Sequence, residues 1–132
     1  MQVRDGMSKT VLSIGPAHTL RAAAREMSKR HVGAAVVMDP DSSGIGILTE
    51  RDILDSLAAG ADPDAEQVGG HLTRDLVFAS PDWTLEQAAT AMTNGGFRHL
   101  VVIERHNVIG MLSVRDIVRC WTEQAATADA RP

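Results

Sequence analysis

The chain has 132 residues, 44% of them hydrophobic and 23% charged, which is one domain's worth of length with an ordinary globular apolar fraction, and wholesale disorder does not fit it. Thirteen Lys and Arg against seventeen Asp and Glu leave a net charge of −4 with no basic tract, a poor match to a phosphate backbone. With two Trp, two Phe and no Tyr, the core must come from aliphatic residues, and stacking platforms for single-stranded nucleic acid are missing.

In chain order, Thr10 to Ile14 reads as a short strand. Leu20, Ala23, Ala24 and Met27 then recur at i, i+3, i+4 and i+7, one face of a helix whose solvated side carries Arg21, Arg25, Glu26, Lys29 and Arg30. Ala34 to Met38 is a continuous apolar run, read as a buried strand, and Ile45 to Leu48 is the next strand after a polar loop. A helix follows from about Glu50. Residues 59–67 carry Gly and Pro breakers and read as a linker.

The same order then repeats. Sliding the chain by 65 residues puts Pro16 on Pro81, Leu20 on Leu85, Ala23 and Ala24 on Ala88 and Ala89, and Met27 on Met92. Past residue 44 the offset is 64, and Arg51-Asp52-Ile53 falls on Arg115-Asp116-Ile117. The single-residue deletion lies in a polar stretch where a loop absorbs it. Leu100 to Ile103 and Val108 to Leu112 are the second copy's strands, Thr84 with Gln87 caps its first helix, and its last helix starts at about Val114. The fold class is therefore mixed α/β, with two β-α-β-β-α copies over 3–58 and 68–122. Each is too small to be comfortable alone, so shared burial is expected. Residues 123–132 are expected to form a flexible tail, because no large apolar residue follows Trp121.

The repeated feature with chemical content is Gly46-Ile-Leu-Thr49-Glu-Arg-Asp52 and Gly110-Met-Leu-Ser113-Val-Arg-Asp116. Hydroxyl-x-x-Asp at a helix start is a capping-box pattern, and capping alone accounts for it. A second account stands beside it. A helix N-terminus suits an anion, Arg51 and Arg115 add full charge, and an Asp carboxylate can accept from both hydroxyls of a ribose.

Residues 3–122 resemble a tandem pair of cystathionine-β-synthase-type (CBS) domains, a Bateman module. The resemblance rests on Val3-Arg-Asp-Gly-Met-Ser8, Pro16-Ala-His-Thr-Leu20, Val37-Met38-Asp39 and Gly46 to Ile53, answered by Pro81-Asp-Trp-Thr-Leu85 and Gly110 to Ile117. It implies two copies packed pseudo-symmetrically through their sheets, with clefts that in many members take AMP, ADP, ATP or S-adenosylmethionine. By similarity, Asp52 and Asp116 hold ribose hydroxyls and Thr49 and Ser113 approach phosphate. The family's habit of borrowing the adenine wall from the other copy implies Thr10, Val11, Val32 and Gly33 beside Asp116, and Asp75, Leu76 and Phe97 beside Asp52.

The copies are unequal. Ahead of its second strand the later copy has Phe97-Arg98-His99-Leu100, where nucleotide-binding relatives often carry basic residues, whereas the earlier has Val32-Gly33-Ala34-Ala35. The Asp116 site thus gathers Arg98, His99 and Arg115 and is expected to bind phosphate more tightly. Val36 and Val101 stand where many members have Pro, which returns a backbone N–H to each position.

The remaining residues read plainly. The five histidines match no ligand spacing, so no metal is expected. The single cysteine, Cys120, excludes an internal disulfide, fits a reducing compartment and reads as core. Trp83 can staple the helix that follows it, and an exposed Trp121 would suggest a dimer contact. No apolar run reaches the length of a membrane span and the N-terminus lacks a signal peptide's apolar region, so a soluble cytoplasmic protein is expected.

These readings converge on a regulatory module without catalytic residues. It would sense an adenine nucleotide or related adenosyl ligand and act through a homodimer or an unidentified regulated protein. The alternative is a ligand-free structural or dimerisation module, in which capping is the whole role of the repeated motif. A small nucleotide-acting enzyme and a nucleic-acid binder are the weaker readings.

Overall fold

A computed structural model describes residues 1–41 and 44–129. Along the chain run α1 (Val3–Gly6), β1 (Ser13–Ile14), α2 (Leu20–Lys29), β2 (Ala34–Met38), β3 (Ile45–Thr49), α3 (Glu50–Ala58), a 3-10 turn (Val68–Gly70), β4 (Phe78–Ala79), α4 (Leu85–Gly95), β5 (His99–Glu104), β6 (Asn107–Ser113) and α5 (Val114–Asp129). They form two compact units, Val11–Leu76 and Met1–Thr10 with Val77–Pro132.

In the Val11–Leu76 unit, β1 pairs parallel with β2 and β2 antiparallel with β3, in the order β1-β2-β3. The parallel pair needs a crossover, and α2 supplies it. Thr19 caps α2 by accepting the Ala22 N–H at 3.1 Å. The helix then lays Leu20, Ala23 and Met27 against Ile14, Ala35, Val37 and Leu48. Ala34 and Val36 point to the other sheet face and are buried too, which explains an unbroken apolar run in place of alternation.

The other unit repeats this plan as β4-β5-β6, with α4 as crossover and Thr84 and Gln87 forming the expected capping box at 2.8 and 3.1 Å. Its core joins Ala79, Leu85, Ala88, Met92, Leu100, Val102, Leu112, Ile117 and Cys120. Trp83 packs against this core half-buried, and its carbonyl accepts the Val3 N–H at 2.7 Å.

The compact units are not the sequence copies. Val3 and α1, counted by sequence with the first copy, complete the core of the unit holding the second. Val68 and Leu72, counted with the second copy, complete the core around α2, where the Val68 N–H donates to the His18 carbonyl at 2.8 Å. Each copy's leading segment is thus built into the unit of the other.

This exchange also shortens the first strand. Thr10 closes one unit and Val11 opens the other, so the strand begins at Ser13 and not at Thr10, with buried Leu12 lending its carbonyl to the Val36 N–H at 2.9 Å. The segment after Trp121 is helical as far as it is described. Helix α5 continues through Glu123 to Asp129, while residues 130–132 lie outside the described residues. Gln124, Ala125 and Ala126 are strong helix formers, and the Thr127 hydroxyl donates to the Glu123 carbonyl at 2.9 Å. Propensity carries the helix on where no apolar stripe remains to mark it.

Candidate nucleotide site

Each unit runs the last strand of its sheet directly into a helix, and the repeated motif sits on that junction. Gly46 and Gly110 stand where the exchanged leading segments cross. A Cβ on Gly110 would lie 2.6 Å from the Met7 sulfur and 2.9 Å from the Ser8 carbonyl oxygen, and one on Gly46 would lie 2.6 Å from a Leu72 methyl.

At the helix starts both capping boxes form. Asp52 Oδ2 accepts the Thr49 N–H at 2.9 Å and the Thr49 hydroxyl accepts the Asp52 N–H at 3.2 Å. Asp116 and Ser113 repeat this at 2.9 and 3.1 Å. The Glu50 N–H donates to the Gly33 carbonyl and the Val114 N–H to the Arg98 carbonyl, each at 2.9 Å. Among the first-turn donors, these contacts leave the N–H groups of Arg51 and Arg115 unused. A phosphate at either helix start would therefore rest on side-chain charge more than on a ring of open amides. The caps use Oδ2 of each carboxylate and orient Oδ1.

The surrounding charges differ between the units. Arg51 is tied to Asp55 on its own helix at 3.2 Å. Arg98 and Arg115 are exposed and make no ion pair with any described residue. His99 is half-buried and stands directly across the β5–β6 ladder from Ser113, so both side chains share a face. The structure thus brings Ser113, Asp116, Arg98 and His99 to one strand-to-helix junction, with Arg115 on its first turn.

Arg119 belongs to this group and the sequence reading missed it. Its Nη1 donates to Asp116 Oδ1 at 2.9 Å and its Nη2 to the Gly6 carbonyl at 3.0 Å. The bond to Asp116 raises the guanidinium pKa above its ordinary value. The signal available was the i, i+3 spacing from Asp116.

The expected adenine-wall residues fall as follows. Val32 and Gly33 lie in the Val11–Leu76 unit, where Gly33 is bonded to the start of α3 and Val32 packs on its core. Val11, Asp75 and Leu76 belong to the same unit, with Asp75 exposed. Thr10 and Phe97 belong to the other. Phe97 packs half-buried on that unit's core and against Gly95, so its ring already has a partner. The Val36 N–H, which a proline would lack, donates to the Leu12 carbonyl at 2.9 Å and is part of the sheet. Among the described residues no group of three or more His, Cys, Asp and Glu could hold a metal ion, and no helix is long and apolar enough to cross a membrane.

Comparison with known proteins bears on the family and the fold. The CBS domain family model matches residues 2–59 and 66–123. An uncharacterized 17.7 kDa protein of Acidianus ambivalens is 36% identical over 83% of this chain, which spans 66% of that relative's length. The CBS-domain containing protein ATU1752 from Agrobacterium tumefaciens is 31% identical, with a TM-score of 0.83 over 91% of this chain and 92% of its own. The CBS domain protein PAE2072 from Pyrobaculum aerophilum, solved in complex with AMP, is 26% identical with a TM-score of 0.82, covering 96% of this chain and 99% of its own. Two matched domains, two exchanged units and a doubled strand-to-helix motif make this chain a member of the CBS domain family, with a tandem pair of CBS domains.

Proposed function

We propose that this chain is a non-catalytic regulatory module that binds an adenine nucleotide, AMP, ADP or ATP, or the related S-adenosylmethionine. Asp116 and Asp52 take the ribose hydroxyls, and Ser113 and Thr49 lie toward the phosphate. The observation that carries the reading is the pair of unpaired arginines, Arg98 and Arg115, at the junction that holds the capped Asp116. Both guanidiniums are exposed and free of internal ion pairs, so an anion at this junction meets their charge without displacing a carboxylate. Arg51 is already paired with Asp55, so Asp116 is the stronger site. The AMP complex of the Pyrobaculum relative supports an adenosine ligand. Thermal melting with each of the four ligands tests the reading, since a ligand that binds only the folded state must raise Tm. The expected result is a rise that Asp116→Asn reduces more than Asp52→Asn does. No rise with any of them would contradict it.

A second reading, dimerisation with no ligand, has its own observation. Leu54 and Leu57 on α3 are 57% and 46% exposed, and the equivalent Val118 and Trp121 on α5 are 53% and 41% exposed. Matching apolar positions on both helices suit a homodimer. We combine the two: ligand binding biases a dimer, or a regulated partner, through these helices.

A further inference from the structure

Position 119 separates the two copies sharply, because its repeat equivalent is Asp55. Arg119 lies one turn beyond Asp116, and its fork reaches in two directions at once: to Asp116 Oδ1 at 2.9 Å and to the carbonyl of Gly6, the last residue of α1, at 3.0 Å. Gly6 itself is pressed onto α5, since a Cβ there would lie 2.8 Å from the Cys120 sulfur. Two residues on, Ser8 exchanges both backbone hydrogen bonds with Met111 at 2.9 and 3.0 Å, beside the motif glycine. Carboxylate, guanidinium and leading segment are thus joined around the start of α5. Asp52 has no such clamp, because Asp55 stands one turn on and pairs with Arg51.

We propose that Arg119 is a positioning residue that holds the Asp116 carboxylate for a ribose and ties occupancy of that carboxylate to the seating of residues 3–8. The proposal rests on the nucleotide reading above. An ionised carboxylate offers about four lone-pair sites. The cap takes one on Oδ2 and Arg119 takes one on Oδ1, which leaves one on each oxygen for two adjacent hydroxyls. With the carboxylate plane fixed from both sides, the ligand does not bear the cost of ordering it. Because the same guanidinium grips the Gly6 carbonyl, whatever steadies Asp116 also steadies the leading segment, and the coupling is reciprocal.

The test uses the full chain with AMP as the probe, following affinity by calorimetry and residues 3–8 by amide hydrogen exchange. In the wild type, AMP should slow exchange at the Met7 and Ser8 amides. Arg119→Met should weaken AMP binding about tenfold, the scale of one lost charge-assisted hydrogen bond, and abolish that slowing. Arg119→Lys, which keeps the charge without the fork, should recover part of the affinity. Ligand-free Arg119→Met should exchange faster than wild type across residues 3–8, and unchanged exchange there overturns the tie to Gly6. AMP binding that Asp116→Asn weakens but Arg119→Met leaves alone overturns the role of Arg119 while the nucleotide reading stands. A wild type that binds none of AMP, ADP, ATP and S-adenosylmethionine overturns both.

Discussion

Ser113 and Asp116 hold each other at the start of α5: the carboxylate accepts the Ser113 N–H at 2.9 Å and the hydroxyl accepts the Asp116 N–H at 3.1 Å. The same carboxylate is the proposed ribose acceptor, so one side chain carries a stability role and a binding role that substitution can separate. Asp116→Ala loses the reciprocal bond and should cost about 1 kcal/mol in urea denaturation, the scale of a lost cap. Asn keeps a carbonyl oxygen for the Ser113 N–H, so Asp116→Asn should cost less. Both should lose ligand affinity.

The two motif glycines should not be equally sensitive. Alanine at 110 meets a backbone carbonyl, that of Ser8, at 2.9 Å, as well as the Met7 sulfur. Alanine at 46 chiefly meets a Leu72 methyl, the movable end of a side chain, with the Thr73 carbonyl farther off at 3.2 Å. Gly110→Ala should therefore destabilise by about 1–3 kcal/mol, as overpacking does, and Gly46→Ala by less. Paired thermal or urea melts of the two variants give the order directly.

The β5–β6 hairpin turns through Arg105 and His106, at φ of 51° and 69°. A two-residue turn with both residues left-handed favours Asn-Gly. Neither side chain forms a hydrogen bond or ion pair with a described residue, and both are exposed. Replacing the pair by Asn-Gly should raise Tm by roughly 2–6 °C, from about 1 kcal/mol of relieved backbone strain. A lower Tm would show that the turn has a tertiary role.

Trp121 and Val118 should govern self-association. Trp121→Lys places a charge in the exposed apolar row of α5 and should shift the protein toward monomer by sedimentation equilibrium, with its melting in dilute solution little changed. An unaltered mass distribution would remove these helices from the proposed dimer.

Much of this fold was legible in the chain because its signals are local and doubled. The Leu-Ala-Ala-Met stripes locate α2 and α4, the apolar runs locate β2 and β5, and Thr49–Asp52 and Ser113–Asp116 mark both helix starts. The exchange of leading segments was not legible. It rests on Val3 and Val68, single buried residues in segments too short to show a period, and which core each enters is a long-range choice. Arg119 was missed for a related reason: a charged residue on an exposed helix looks solvated until the Gly6 carbonyl is placed beside it. The extension of α5 escaped because propensity, unlike burial, leaves no apolar pattern.

The central claim is that Asp116 anchors a nucleotide through its ribose, helped by Arg98 and Arg115. The most direct measurement is a calorimetric titration of AMP into the wild type, Asp116→Asn and Asp52→Asn. The account predicts saturable binding in the wild type, its strongest phase lost in Asp116→Asn and kept in Asp52→Asn. Identical isotherms for the wild type and Asp116→Asn, or a strongest phase lost only in Asp52→Asn, would contradict it.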